Sequence, residues 1–150
     1  MVSAVVAAVA LAAAQAPVPA PAQGVASLAW LQGSWSGAGT MFGRPSQARL
    51  EIRPTLGGRF LELNWRASGF EGRAFYSSPQ PGRWRAVWFD NRGVTFPIQA
   101  MVGDRVLTSD WGSAETERGR TIYRLLPDGR LEVTDNAGGR DFASHVLTRE

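Results

Sequence analysis

The sequence has no cysteine, no lysine and a single histidine. Without thiols there is no disulfide scaffold, no thiolate metal site and no thiol nucleophile. One imidazole, His145, excludes most catalytic triads, and with no carboxylate cluster beside it neither a zinc site nor a two-metal site is expected. Gly33-Ser34-Trp35-Ser36-Gly37 is no nucleophile elbow, because Trp occupies the position the serine needs. An excess of one charge is also lacking. Sixteen arginines against 13 acidic residues leave a net charge of +3, too little for the basic stripe of a nucleic-acid binder.

Charged residues of either sign are missing before Arg44. Within that stretch, residues 5–14 (VVAAVALAAA) form an apolar run too short to span a bilayer, and Ala14-Gln15-Ala16 has the small-x-small pattern that export peptidases cut. Residues 1–16 therefore read as a signal peptide, although Met1-Val2-Ser3 brings no basic residue. The competing reading, a buried alanine-rich helix, is disfavoured because the run has no polar face. Residues 17–24 follow as an extended Pro/Ala-rich linker and 25–150 as one domain, long enough to bury a core without disulfides. Export implies an extracytoplasmic product, periplasmic or secreted. With no cysteine for a lipid anchor it is expected to be freely soluble, and no second run is long enough to cross a membrane.

What the chain has in quantity is glycine, 17 residues, together with six Trp and seven Phe. Apolar and polar residues alternate: Ala48, Leu50 and Ile52 with Arg49, Glu51 and Arg53, then Leu61, Leu63 and Trp65 with Glu62, Asn64 and Arg66. This period of two predicts half-buried strands. Similar runs occupy 34–42, 73–77, 84–89, 94–102, 105–111, 121–126, 130–134 and 142–148, and a short helical lid is expected over 25–31. Turn residues separate the runs at Gly57-Gly58, Pro81-Gly82, Asn91-Arg92-Gly93, Gly103-Asp104, Pro127-Asp128-Gly129 and Gly138-Gly139. Links this short make neighbours antiparallel. An open meander would leave two raw edges, so the expected fold is all-β, a single closed up-and-down barrel of about eight to ten strands. Pro97 inside a run predicts a bulge or an edge.

Leu31-Gln32-Gly33-Ser34-Trp35-Ser36-Gly37-Ala38-Gly39, directly after the helical turn, resembles the Gly-x-Trp opening of the calycin superfamily, the lipocalins and their relatives. The chain is also similar to secreted bacterial lipocalin-like proteins through Leu56-Gly57-Gly58-Arg59 and through Trp88, Asp90, Asn91 and Gly93, a likeness running from about Leu28 to Arg149. The resemblance implies a structural plug in which Trp35 closes one barrel end beneath Arg149 as a cation–π pair. Gly33, Trp35, Gly37 and Gly39 resemble the opening of nitrobindin-type haem barrels as well, which implies His145 as an axial ligand of haem iron. Those proteins continue differently from this chain's Thr40-Met41-Phe42-Gly43-Arg44-Pro45.

A barrel of this size either fills with side chains or keeps room for one small molecule. The aromatic residues Trp65, Trp84, Trp88, Trp111, Phe60, Phe75, Phe89 and Phe96 suit either outcome. Candidate cavity residues are Trp65, Tyr76, Trp88, Trp111, Tyr123 and His145, the last sharing parity with Leu147 and Arg149. Glu62 and Asn64 qualify only if Leu61, Leu63 and Trp65 point outward, because a slip of one residue reverses every such assignment. Asp90 and Asp110 read as turn residues rather than general bases, and Glu115-Thr116-Glu117 as a solvated hairpin tip. No catalytic residue, resident metal or cofactor is expected. The leading expectation is an exported barrel whose partner is a small, mainly apolar molecule. The alternatives are a haem barrel using His145, and a filled structural or interaction barrel or small enzyme of unrecognised chemistry.

Overall fold

The computed structural model describes residues 23–150. Residues 1–22, which contain the expected signal peptide and most of the expected linker, lie outside the described residues. A short helix, α1 (Gln23–Ser27), precedes ten strands: β1 (Gly33–Met41), β2 (Arg44–Thr55), β3 (Phe60–Ala67), β4 (Phe70–Gln80), β5 (Arg83–Asp90), β6 (Thr95–Gly103), β7 (Val106–Gly112), β8 (Arg118–Leu125), β9 (Leu131–Ala137) and β10 (Arg140–Arg149). Each strand pairs antiparallel with its neighbours in sequence, and β1 pairs with β10 to close the barrel. Closure leaves no sheet edge, which is the physical reason such a meander curls. This closed antiparallel barrel is compatible with a calycin-like architecture.

The alternation sets what faces inward. Leu61, Leu63 and Trp65 are buried in the interior, so Glu62 and Asn64 point out. Glu62 is nonetheless covered, because Arg53 donates to its Oε2 at 3.0 and 3.1 Å and Arg73 Nε lies 3.4 Å from Oε1. Burial pushes the Glu62 carboxyl up, but hydrogen bonds from Arg53 and Asn64 and the charges of Arg53 and Arg73 outweigh this and hold it below the ordinary range. Further cross-strand pairs, Asp110–Arg120 at 2.6 Å and Arg124–Glu132 at 3.3 Å, stud the outer surface. A membrane-spanning barrel needs an apolar outer band instead. No helix among the described residues is long and apolar enough to cross a membrane.

Two local expectations need correction. The helix starts and ends earlier than 25–31, and residues 28–31 continue as turns, with Leu31 N donating to Leu28 O at 3.0 Å. These tighter bonds put Leu28 and Leu31, each 1% exposed, into the barrel end. Pro97 sits neither in a bulge nor on an edge strand. β7 pairs with β6 only from Ile98 onward, so the proline stands just beyond the ladder on that side.

The end covered by α1 is solid. Trp35, fully buried, donates from Nε1 to Leu31 O at 3.0 Å, and the Arg149 guanidinium carbon lies 4.1 Å from the centre of its ring. Arg149 also donates to Trp30 O at 2.9 Å and to Gln32 O, which ties the segment before β1 to the last strand. Gly33 explains the first letter of the motif: a Cβ there would strike this guanidinium, and the backbone turns through φ +130. Leu50, Leu63, Leu131, Leu147 and Trp84, each at most 1% exposed, pack this half of the interior.

Candidate functional site

The other half of the interior is open. A cavity of about 660 Å³ is reached between the hairpins at the end opposite α1, and its lining includes Trp65, Phe70, Tyr76, Trp88, Phe96, Ile98, Trp111, Tyr123 and Phe142. The choice between a filled and an open barrel is thus divided along the axis, one half each. Pockets for small organic molecules commonly measure about 300–1,000 Å³ and are mostly apolar with a few polar groups.

Glycines keep the lumen open. A Cβ at Gly72 would collide with the Trp88 indole, and one at Gly119 with the indole of Trp111, its direct cross-strand partner. The two rings therefore lie flat on neighbouring backbone instead of reaching across the barrel. At the mouth Phe42 stacks on Phe142, with ring centres 5.3 Å apart, and Phe142 meets Trp111 edge-on at 6.5 Å. Phe142 turns inward because the β9–β10 register shifts between Asp141 and Ala143, a bulge that breaks the alternation there. Phe42, 73% exposed, is the most accessible large apolar side chain among the described residues.

An ion chain runs along the rim. Asp90 accepts from Trp88 Nε1 at 3.1 Å and from Arg92 at 2.9 Å, and Arg92 lies 3.5 Å from Glu117 on the neighbouring hairpin. Burial raises the Asp90 carboxyl, but the hydrogen bonds from Arg92 and Trp88 prevail and keep it low. Asp90 thus anchors the mouth as well as its turn. Glu117, expected at a solvated tip, is exposed as expected but also borders the cavity. Asp110 faces outward, paired with Arg120.

Deeper in, three polar side chains lie in one row on adjacent strands: Ser109 opposite Thr121, and Thr121 opposite Asp135. Thr121 Oγ1 donates to Asp135 Oδ1 at 2.5 Å, and Tyr76 reaches across the lumen to Ser109, with 3.1 Å between hydroxyls. The Tyr123 hydroxyl faces that of Tyr76. Burial pushes the Tyr76 phenol up to about 12 and Tyr123 well above its ordinary value, so both are neutral hydrogen-bonding groups. Asp135 is half-buried, with its remaining exposure towards the cavity. Desolvation pushes its carboxyl up to about 6 against the opposing pull of the Thr121 hydroxyl.

Five of the six candidate cavity residues, Trp65, Tyr76, Trp88, Trp111 and Tyr123, line the open half. His145 does not. It faces the interior at 1% exposure, below the cavity, with Trp65 edge-on to it at 5.4 Å. Both of its ring nitrogens are buried without a partner, and burial depresses its pKa. Glu62 and Asn64, Phe60, Phe75 and Phe89 also lie outside the lining, and Trp84 belongs to the solid half. Ser109, Thr121, Asp135, Phe42 and Phe142 were missed. The signal for the first three was a polar residue at an inward position of an otherwise apolar strand face, as in Leu107, Ser109, Trp111. Among the described residues no group of three or more His, Asp or Glu side chains could hold a metal. No family model matches the chain, and no curated protein matches it.

Proposed function

We propose that the barrel binds one small, mainly apolar organic molecule in its open half, and that it does so as an exported protein outside the cytoplasm. The observation that carries this is the aromatic cavity of about 660 Å³ held open by Gly72 and Gly119. A chain selected only for stability gains by filling such space, since unfilled volume forfeits contacts. The apolar run at 5–14 followed by Ala14-Gln15-Ala16 supports export.

The test is native mass spectrometry of the purified protein, followed by titration with an environment-sensitive apolar dye. Ala137 lines the cavity near the mouth and is small and half-buried. Ala137→Phe is expected to lower dye affinity by at least tenfold while the melting temperature stays within a few degrees. Equal dye binding by both proteins would remove the cavity as the site.

A second reading, haem on His145, is favoured by the two unpartnered nitrogens of that ring. The fit is poor, because His145 does not line the cavity and Trp65 lies against it. Absorption spectra after addition of haem decide the point: a Soret band lost in His145→Ala would replace the apolar ligand by haem.

A further inference from the structure

We propose that the cavity selects an organic cation, an apolar or aromatic body carrying a protonated amine, seated with its ammonium against Asp135. This rests on the interior being a ligand site and specifies the class of ligand it takes. Asp135 presents a carboxyl to the lumen with one oxygen held by Thr121, and among the described residues no arginine or histidine pairs with it. The other charged groups bordering the cavity stand at the rim. Arg92 is engaged by Asp90 and Glu117, and Arg118 stands where β8 begins.

Three kinds of ligand can be compared at Asp135. A neutral hydrocarbon would cover the carboxylate and give it nothing, at the cost of burying an unpaired charge. An anion reaching the same depth would be repelled by it. A primary ammonium has three donors, and the Asp135 carboxylate and the hydroxyls of Ser109 and Tyr76 supply acceptors around one part of the lumen. The indoles of Trp88 and Trp111 line the same cavity, and the negative face of an aromatic ring attracts a cation. The raised carboxyl, at about 6, is what a site missing its counter-charge would show, and it is still largely ionised at neutral pH.

The experiment is calorimetric titration of the purified protein at pH 7.5 with three ligands of one shape: 1-naphthylmethylamine, 1-naphthylmethanol and 1-naphthoate. The amine is expected to bind at least tenfold more tightly than the alcohol, and the naphthoate most weakly. In Asp135→Asn the preference for the amine over the alcohol should be lost: the amine should bind less tightly than to the unmodified protein, and the alcohol, no longer covering an unpaired charge, at least as tightly. Equal binding of amine and alcohol by the unmodified protein, or an amine preference that survives in Asp135→Asn, would overturn the proposal while leaving the cavity as an apolar site. Binding of none of the three would overturn both. If Asp135→Asn does not fold, the amine-to-alcohol ratio in the unmodified protein decides alone.

Discussion

Trp35→Ala is expected to lower the unfolding free energy by ~3–5 kcal/mol, the range for truncating a fully buried large side chain to alanine. Several losses coincide there. The indole is wholly buried, its Nε1 satisfies Leu31 O, and its face carries the Arg149 guanidinium at 4.1 Å. Removing it leaves a void beneath the turn that carries Leu31, and the guanidinium keeps only its carbonyl partners, Trp30 O and Gln32 O. Arg149→Ala, which removes the lid and spares the indole, should cost less, about 1–2 kcal/mol. Urea unfolding followed by far-UV circular dichroism measures both. A Trp35→Ala midpoint close to that of the unmodified protein would mean that this end of the barrel is not closed by the indole.

Asp135→Asn should be as stable as the unmodified protein near pH 4 and clearly more stable at pH 8. The native carboxyl titrates at about 6, whereas an unfolded Asp titrates near its ordinary value of ~3.9. Between these values the native state retains a proton that the unfolded state has released. Stability therefore falls as pH rises from about 4 to about 6 and remains lower above that. At ~1.4 kcal/mol per pKa unit the gap is roughly 3 kcal/mol as an upper bound, reduced because the carboxyl keeps some access to the cavity. Asparagine cannot titrate, and its carbonyl can still accept from Thr121. The depressed carboxyls of Glu62 and Asp90 act in the opposite sense, but equally in both proteins, so they cancel in the difference. Two stability profiles running parallel from pH 4 to 8 would show that Asp135 is not desolvated.

Much of the architecture was legible because a period of two is a local signal. The runs around 48–53 and 61–66 needed no tertiary information to be read as strands, and turn residues between the runs dictated antiparallel neighbours. Alternation alone left open which face of Leu61, Leu63 and Trp65 turns inward, and His145 shared the parity of Arg149 without any measure of depth along the axis, so His145 was expected at the cavity it lies beneath. The polar row escaped for a related reason. Ser109, Thr121 and Asp135 each sit alone in an ordinary-looking segment, and only the registers of β7 with β8 and of β8 with β9 bring them side by side. Phe142 escaped because a bulge breaks the very alternation used to assign faces. Pro97 needs neither bulge nor edge, because the β6–β7 ladder starts one residue later.

The ladder between β1 and β10 is unlike all the others: it joins the first strand to the last, whereas each remaining ladder joins consecutive strands. Hairpins can zip early, but this seam has to await the whole circuit, because bringing distant segments together costs chain entropy before any contact rewards it. Trp35 and Arg149, paired across that seam, then meet late in folding. Truncating either one should chiefly hasten unfolding in stopped-flow chevrons and leave the refolding rate almost unchanged. The clasp that makes the molecule a ring would in that case govern how long the ring lasts more than how quickly it forms.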